Sequence, residues 1–120
     1  MSYQFSFEKL VVWQKAKDLA VQLYKETQHF PKSEQFGLTS QLRRSGVSVP
    51  SNLAEGSARQ TAKDKAHFST MAFSSLAETT NHIIIAKDLA FLEDGSYHNL
   101  RDQIAEVSRM LTAFRKAQLR

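Results

Sequence analysis

The chain has 120 residues, 42% hydrophobic and 23% charged, values that suit one globular domain over residues 1–120 and exclude a disordered or low-complexity chain. The absence of cysteine excludes disulfides, thiolate catalysis and Cys-based zinc or iron–sulfur sites, and no apolar run approaches the ~18 residues a membrane span requires. Sixteen Lys and Arg against twelve Asp and Glu give a net charge of +4 and a pI near 9.5, a balance that permits a polyanionic partner without requiring one.

From the N-terminus, Met1 to Glu8 have neither a basic n-region nor an apolar h-region, so the chain reads as cytoplasmic and free of the membrane. A first helix is predicted from Glu8 to Gln28 with Ser6 as N-cap, ending before Pro31 because a residue preceding proline avoids the α region. It carries two apolar stripes, Val12, Ala16, Leu19 and Leu23 on one face and Trp13, Ala20, Tyr24 and Thr27 on a neighbouring one.

Ser33 is the expected cap of a second helix opening at Glu34, with Leu38, Leu42, Ser45 or Gly46, Val49 and Leu53 at helical spacing. Pro50 falls inside that stripe and predicts a kink, with Gly56 as the C-terminal stop. Small and polar residues from Ser45 to Asn52 stand where a plain bundle would place strong helix formers, which points to a close helix–helix approach, with Asn52 and Glu55 satisfying backbone groups freed by Pro50.

Thr61 to Asp64 resembles a capping box and opens a third helix running to about Leu92. Its first stripe is Phe68, Met71 or Ala72, Ser75, Thr79, Ile83, Ala86 and Ala90; a second is Phe73, Leu76, Thr80 and Ile84. Asp94-Gly95-Ser96 reads as the last turn. Tyr97, Leu100, Ile104, Val107, Leu111, Phe114 and Gln118 then follow as a heptad-like seam.

Four helices of roughly 20 to 30 residues with short connections predict an all-α, up-and-down antiparallel four-helix bundle. One helix needs one stripe to fill such a bundle, so Val12, Trp13, Leu19 and Tyr24 of the first helix, with Phe73 and Ile84 of the third, are the expected contacts of a homo-oligomer.

Chemistry is sparse. No Glu-x-x-His motif of a di-iron bundle and no glycine-rich phosphate loop is present, so neither metal nor cofactor is expected and the chain reads as no enzyme. Glu78 and His82 lie one turn apart; the expected arrangement is Glu78 at least partly buried and His82 on the surface. The candidate nucleic-acid contacts are Arg43, Arg44, Arg59, Lys63 and Lys65 around the middle turn, with Arg115 and Lys116 near the C-terminus. No aromatics are interleaved among them in sequence, so phosphate contacts and shape-tolerant binding of RNA or DNA are expected.

Leu10-Val11-Val12-Trp13-Gln14, Phe30-Pro31, Phe36-Gly37-Leu38, Gln41-Leu42-Arg43-Arg44, Val47-Ser48-Val49-Pro50-Ser51-Asn52-Leu53-Ala54-Glu55-Gly56 and Ser75-Leu76-Ala77-Glu78 together resemble the bacterial four-helix bundle family of 23S rRNA intervening-sequence proteins, also labelled S23-like. The likeness covers roughly residues 5–92. It implies an up-and-down bundle assembled as a ring-shaped homopentamer, and kinship with the accessory variability proteins of diversity-generating retroelements, basic barrels that bind nucleic acid and a reverse transcriptase. The basic positions that match are Arg43, Arg44 and Arg59. Gly46 replaces a usual alanine, Ser74 a usual glycine, and Thr79-Thr80 a more typical Leu-Glu pair.

Overall fold

The computed structural model of the chain describes residues 3–120. Four α-helices, α1 (Val11–Thr27), α2 (Leu38–Ser57), α3 (Ala62–Asp88) and α4 (Asp94–Gln118), pack as an antiparallel bundle in which each helix touches its two neighbours. The long dimension is 43 Å, close to the ~40 Å expected of α3 alone at 1.5 Å per residue, so each end of the bundle gathers one terminus from every helix.

The core is a single cluster with Leu19, Leu23, Leu42, Val49, Leu76, Ile83, Leu100, Val107 and Leu111 at its centre. On α4 it takes Leu100, Ile104, Val107 and Leu111, as the heptad reading predicts. On α3 the core stripe is Ala66, Ser69, Ala72, Leu76, Thr79, His82, Ile83 and Ala86, so Leu76 belongs to the core and not to the second stripe. Ala90, expected in that stripe, is exposed beyond the helix end.

Every helix the sequence predicts is present, and four of their ends move. Ser6–Lys9 forms a separate 3₁₀ turn, because Glu8 Oε2 accepts the Phe5 N–H at 2.8 Å and closes the turn before α1 begins; Ser6 caps nothing. Lys32–Glu34 is likewise a 3₁₀ turn, and the Glu34 carboxylate accepts the Leu38 N–H at 3.2 Å, which delays α2 to Leu38 and leaves Ser33 without the predicted capping role. α3 stops at Asp88, four residues early, so that Phe91 can pack on Phe30 at 5.6 Å between ring centroids and Leu92 can enter the core. The predicted turn at Asp94-Gly95-Ser96 is instead the first turn of α4. Thr61 does cap α3, its Oγ1 accepting the Asp64 N–H at 3.1 Å.

α2 and α3 form the most closely packed pair. α2 continues unbroken through Pro50, and its small residues sit where the bundle leaves no room. A Cβ at Gly56 would lie 2.7 Å from Phe68 Cβ, and one at Gly46, the position of the usual alanine, 2.5 Å from Leu23 Cδ1. Gly56 therefore serves close approach and not the helix stop predicted for it; the chain keeps right-handed φ through Ala58.

The pair is stitched by hydroxyls. Ser45 Oγ lies 3.0 Å from Thr79 Oγ1 and 3.3 Å from His82 Nδ1, and Ser48 Oγ lies 2.8 Å from Ser75 Oγ. Asn52 Nδ2 donates to the Ser48 carbonyl at 2.9 Å, whereas the carbonyl that Pro50 deprives of its donor is that of Gly46; Glu55 turns outward to Arg59. No buried side-chain polar atom among the described residues lacks a partner.

Candidate nucleic-acid interface

Antiparallel packing brings together charges that are distant in sequence. Cutting each helix at its midpoint, the end formed by residues 3–19, 48–75 and 107–120 holds ten Lys and Arg against four Asp and Glu, a formal +6. The opposite end, residues 20–47 and 76–106, holds six against eight, a formal −2. The net +4 of the chain is thus a dipole of charge between two ends of one bundle.

The basic end is closed by contacts between all four helices. Ser69 Oγ donates to Gln118 Oε1 at 2.7 Å, tying the start of α3 to the end of α4, and Phe114 and Met110 of α4 line a groove with Leu10 and Val12 at the start of α1. The Arg59 guanidinium stacks 4.6 Å from the Phe68 ring centroid, joining the end of α2 to α3.

Five of the seven sequence-predicted contacts, Arg59, Lys63, Lys65, Arg115 and Lys116, lie on this end. Arg59 is partly neutralised by Glu55 at 3.2 Å, and Arg115 Nε donates to Thr70 Oγ1 at 2.7 Å, which holds its guanidinium against α3. Lys15 and Lys17 pair with Glu106 and Asp18. The other seven cations of this end have no carboxylate within 4.0 Å among the described residues. They include Lys9, Arg109 and Arg120, which sequence reasoning did not join to the middle turn because the topology that unites them is not visible in a run of charges.

Arg43 and Arg44 go to the other end. Arg43 Nε donates to Thr27 Oγ1 at 2.8 Å, one guanidinium nitrogen reaches the Tyr24 carbonyl at 3.4 Å, and the group stacks 4.5 Å from the Tyr24 ring centroid. It fastens α2 to the last turn of α1 and satisfies a carbonyl there. Arg44 is exposed on a groove of about 410 Å³ between α2 and α3, lined also by Gln41, Ser45, Ser48, Ser75, Glu78 and His82.

In that groove the expected roles of Glu78 and His82 are reversed. Glu78 is exposed and His82 is 7% exposed, with its Nδ1 on Ser45. Helical phase decides this: His82 follows Thr79 by three and precedes Ala86 by four, which places it on the core stripe, whereas Glu78 lies about 100° from Thr79 and faces water.

The predicted oligomer contacts divide. Val12 and Leu19 are corrected to core positions, since α1 turns both toward α4 and α2 in the bundle interior. Trp13 is half-buried against the Phe7 ring, and Tyr24 is exposed but covered on one face by Arg43. Phe73 and Ile84 are exposed, together with Met71 and Ile85. From Ala66 to Ala86 the only Asp, Glu, Lys or Arg is Glu78, so α3 presents water with a long face almost without charge.

Among the described residues no helix is long and apolar enough to cross a membrane. A protein of unknown function from the S23 ribosomal protein family of Bacteroides thetaiotaomicron is similar in structure, with a TM-score of 0.79 and 22% identity, over 88% of this chain and 99% of that one. No curated protein matches. The model of the 23S rRNA-intervening sequence protein family matches residues 8–113, which takes in α1 to α3 and most of α4, and the chain therefore belongs to that family.

Proposed function

We propose that this protein is a non-enzymatic, cytoplasmic homo-oligomer that binds structured RNA or DNA through phosphate contacts at its basic end. The observation that carries this is the segregation of charge, +6 on one end against −2 on the other, with seven cations of the basic end free of carboxylates among the described residues. Lys63 and Lys65 occupy the first turn of α3, where the helix dipole favours acids, so local stability does not account for them. A family named for an intervening sequence of 23S rRNA suits a structured-RNA context.

The non-enzymatic reading is supported at the Ser45–His82 pair. A nucleophilic serine must be open to substrate, and Ser45, although it borders the α2–α3 groove, is 3% exposed with its Oγ bonded to Thr79 and to the Leu42 carbonyl. Self-association is supported by the uncharged outer face of α3, with Met71, Phe73, Ile84 and Ile85 in water; the pentamer is the subunit number that the resemblance implies. That same face favours a second reading, a scaffold or accessory subunit that organises a protein partner such as a reverse transcriptase.

The test is a titration of structured RNA over rising salt. Each phosphate neutralised adds nearly one unit to the log–log slope, so K63Q, K65Q, R115Q and K116Q combined should flatten the slope by about 3.6 units if all four touch phosphate. R44Q, on the opposite end, should leave it unchanged. Absence of binding at low ionic strength sinks the nucleic-acid reading, and retention of a protein partner by the quadruple variant favours the scaffold.

A further inference from the structure

The basic end also carries a string of aromatic rings that the charge pattern does not require. Tyr3 and Phe5 stand 4.9 Å apart edge to face, Phe5 and Phe7 5.9 Å apart and stacked, and Phe7 and Trp13 4.9 Å apart edge to face. Lys17 Nζ lies 5.9 Å from the Trp13 centroid. The string runs outward from a half-buried indole to Phe5 and Tyr3, which are 56% and 80% exposed.

The segment is held in place and is not a loose tail. Phe5 N–H donates to Glu8 Oε2 at 2.8 Å, Leu10 N–H donates to the Phe7 carbonyl at 2.9 Å, and Gln14 Nε2 donates to the Glu8 carbonyl at 2.9 Å. The backbone that carries Phe5 is thereby fixed, and Tyr3 lies edge to face on the Phe5 ring, so two large rings stand together in water, a costly arrangement unless something covers them.

We propose that the occupant is unpaired nucleotides, whose bases stack on Tyr3 and Phe5 while the neighbouring cations take the phosphates. The inference rests on the nucleic-acid reading above and narrows its substrate from polyanions in general to single-stranded segments, such as loops or ends of a folded RNA. Duplex bases are already stacked on each other and gain nothing from an exposed ring, whereas an unpaired base presents a free face. Charge argues against a symmetric contact between two copies through this end, which would set +6 against +6; a head-to-tail contact is distinguished by the assembly mass below.

The experiment compares the wild type with the double variant Y3L/F5L, which keeps apolar side chains and removes the π faces. Fluorescence anisotropy would follow a labelled single-stranded RNA of about ten nucleotides and a duplex of equal length, a size within the ~4–16 nucleotides of common single-strand sites. The variant should lose about ten-fold or more in affinity for the single strand, with duplex affinity and salt slope unchanged. In the wild type the single strand should quench Trp13 emission. Equal single-strand affinity in the two proteins overturns the inference, as does an equal loss on the duplex. A lower assembly mass for Y3L/F5L by light scattering overturns it too, since a second copy would then be the occupant. If the wild type binds neither RNA, the nucleic-acid reading itself fails; if it binds both and Y3L/F5L matches it, the stacking proposal alone fails.

Discussion

The turn after α3 offers a sharp test of the backbone. Ala90 has φ 62°, the left-handed region, and is the one non-glycine residue with positive φ among those described. The Phe91 N–H donates to the Ala86 carbonyl and the Ala90 N–H to the Lys87 carbonyl, both at 2.9 Å, which is a Schellman ending with alanine where glycine is usual. The left-handed conformation costs an alanine about 1–2 kcal/mol, and glycine avoids that cost but loses about 0.5–1 kcal/mol to the greater freedom of the unfolded chain. A90G should therefore gain about 0.5–1 kcal/mol, or roughly 2–5 °C in melting midpoint for a domain of this size. Neighbouring Leu89 is the control: it is exposed with φ −83° and ψ 1°, so L89G should lose about 0.5–1 kcal/mol. Urea and thermal melts followed by far-ultraviolet circular dichroism, at one fixed protein concentration because assembly would shift the midpoint, read both signs. A loss for A90G equal to that for L89G would refute the left-handed ending and with it the path by which Phe91 reaches Phe30.

Three further substitutions probe the packing. G56A should cost about 1–2 kcal/mol in urea melts, because the new methyl meets Phe68 Cβ, which moves only with the α3 backbone, and the overpacking exceeds the helix-propensity gain. G95A should gain about 0.5–1 kcal/mol, since nothing lies within 4 Å of its Cβ in the first turn of α4; a loss there would place that turn outside the helix. T79V keeps the shape of a fully buried side chain and removes the hydroxyl beside Ser45 Oγ, and should cost about 1–2 kcal/mol, with faster amide exchange along α2 near Ser45.

The helices themselves were legible because apolar period is a local property: Leu100, Ile104, Val107 and Leu111 can be placed on one face without knowing what they touch. Their ends were not, because each is decided by a partner elsewhere. Glu34 looks like a first-turn acid until its carboxylate is seen capping Leu38, and α3 looks able to run to Leu92 until Phe91 is needed against Phe30. His82 was misplaced for a related reason. A histidine one turn from a glutamate suggests a surface pair, yet its phase with Thr79 and Ala86 already put it on the buried stripe, and only the hydroxyl of Ser45 on another helix makes that burial tolerable.

The candidate interface shows the same limit from the other side. In sequence, Arg43 and Arg44 look like the strongest basic feature, an adjacent pair in the most distinctive motif, Arg109 and Arg120 belong to a separate C-terminal cluster, and Lys9 looks incidental. Folding inverts that ranking. An up-and-down bundle sorts residues by the parity of the helix they occupy, so the start of α1, the end of α2, the start of α3 and the end of α4 share one surface. Arg43 falls on the opposite end and is consumed by Thr27 and Tyr24, whereas charges separated by 50 or more positions, such as Lys9 and Lys63, come to the same end. The exposed rings of Tyr3 and Phe5 join them by the same rule, which is why aromatics that are not interleaved with the basic residues in sequence still share an end with them in space. For a bundle of this topology, charge and aromatic content are informative only after each helix has been cut at its midpoint and the halves regrouped by direction.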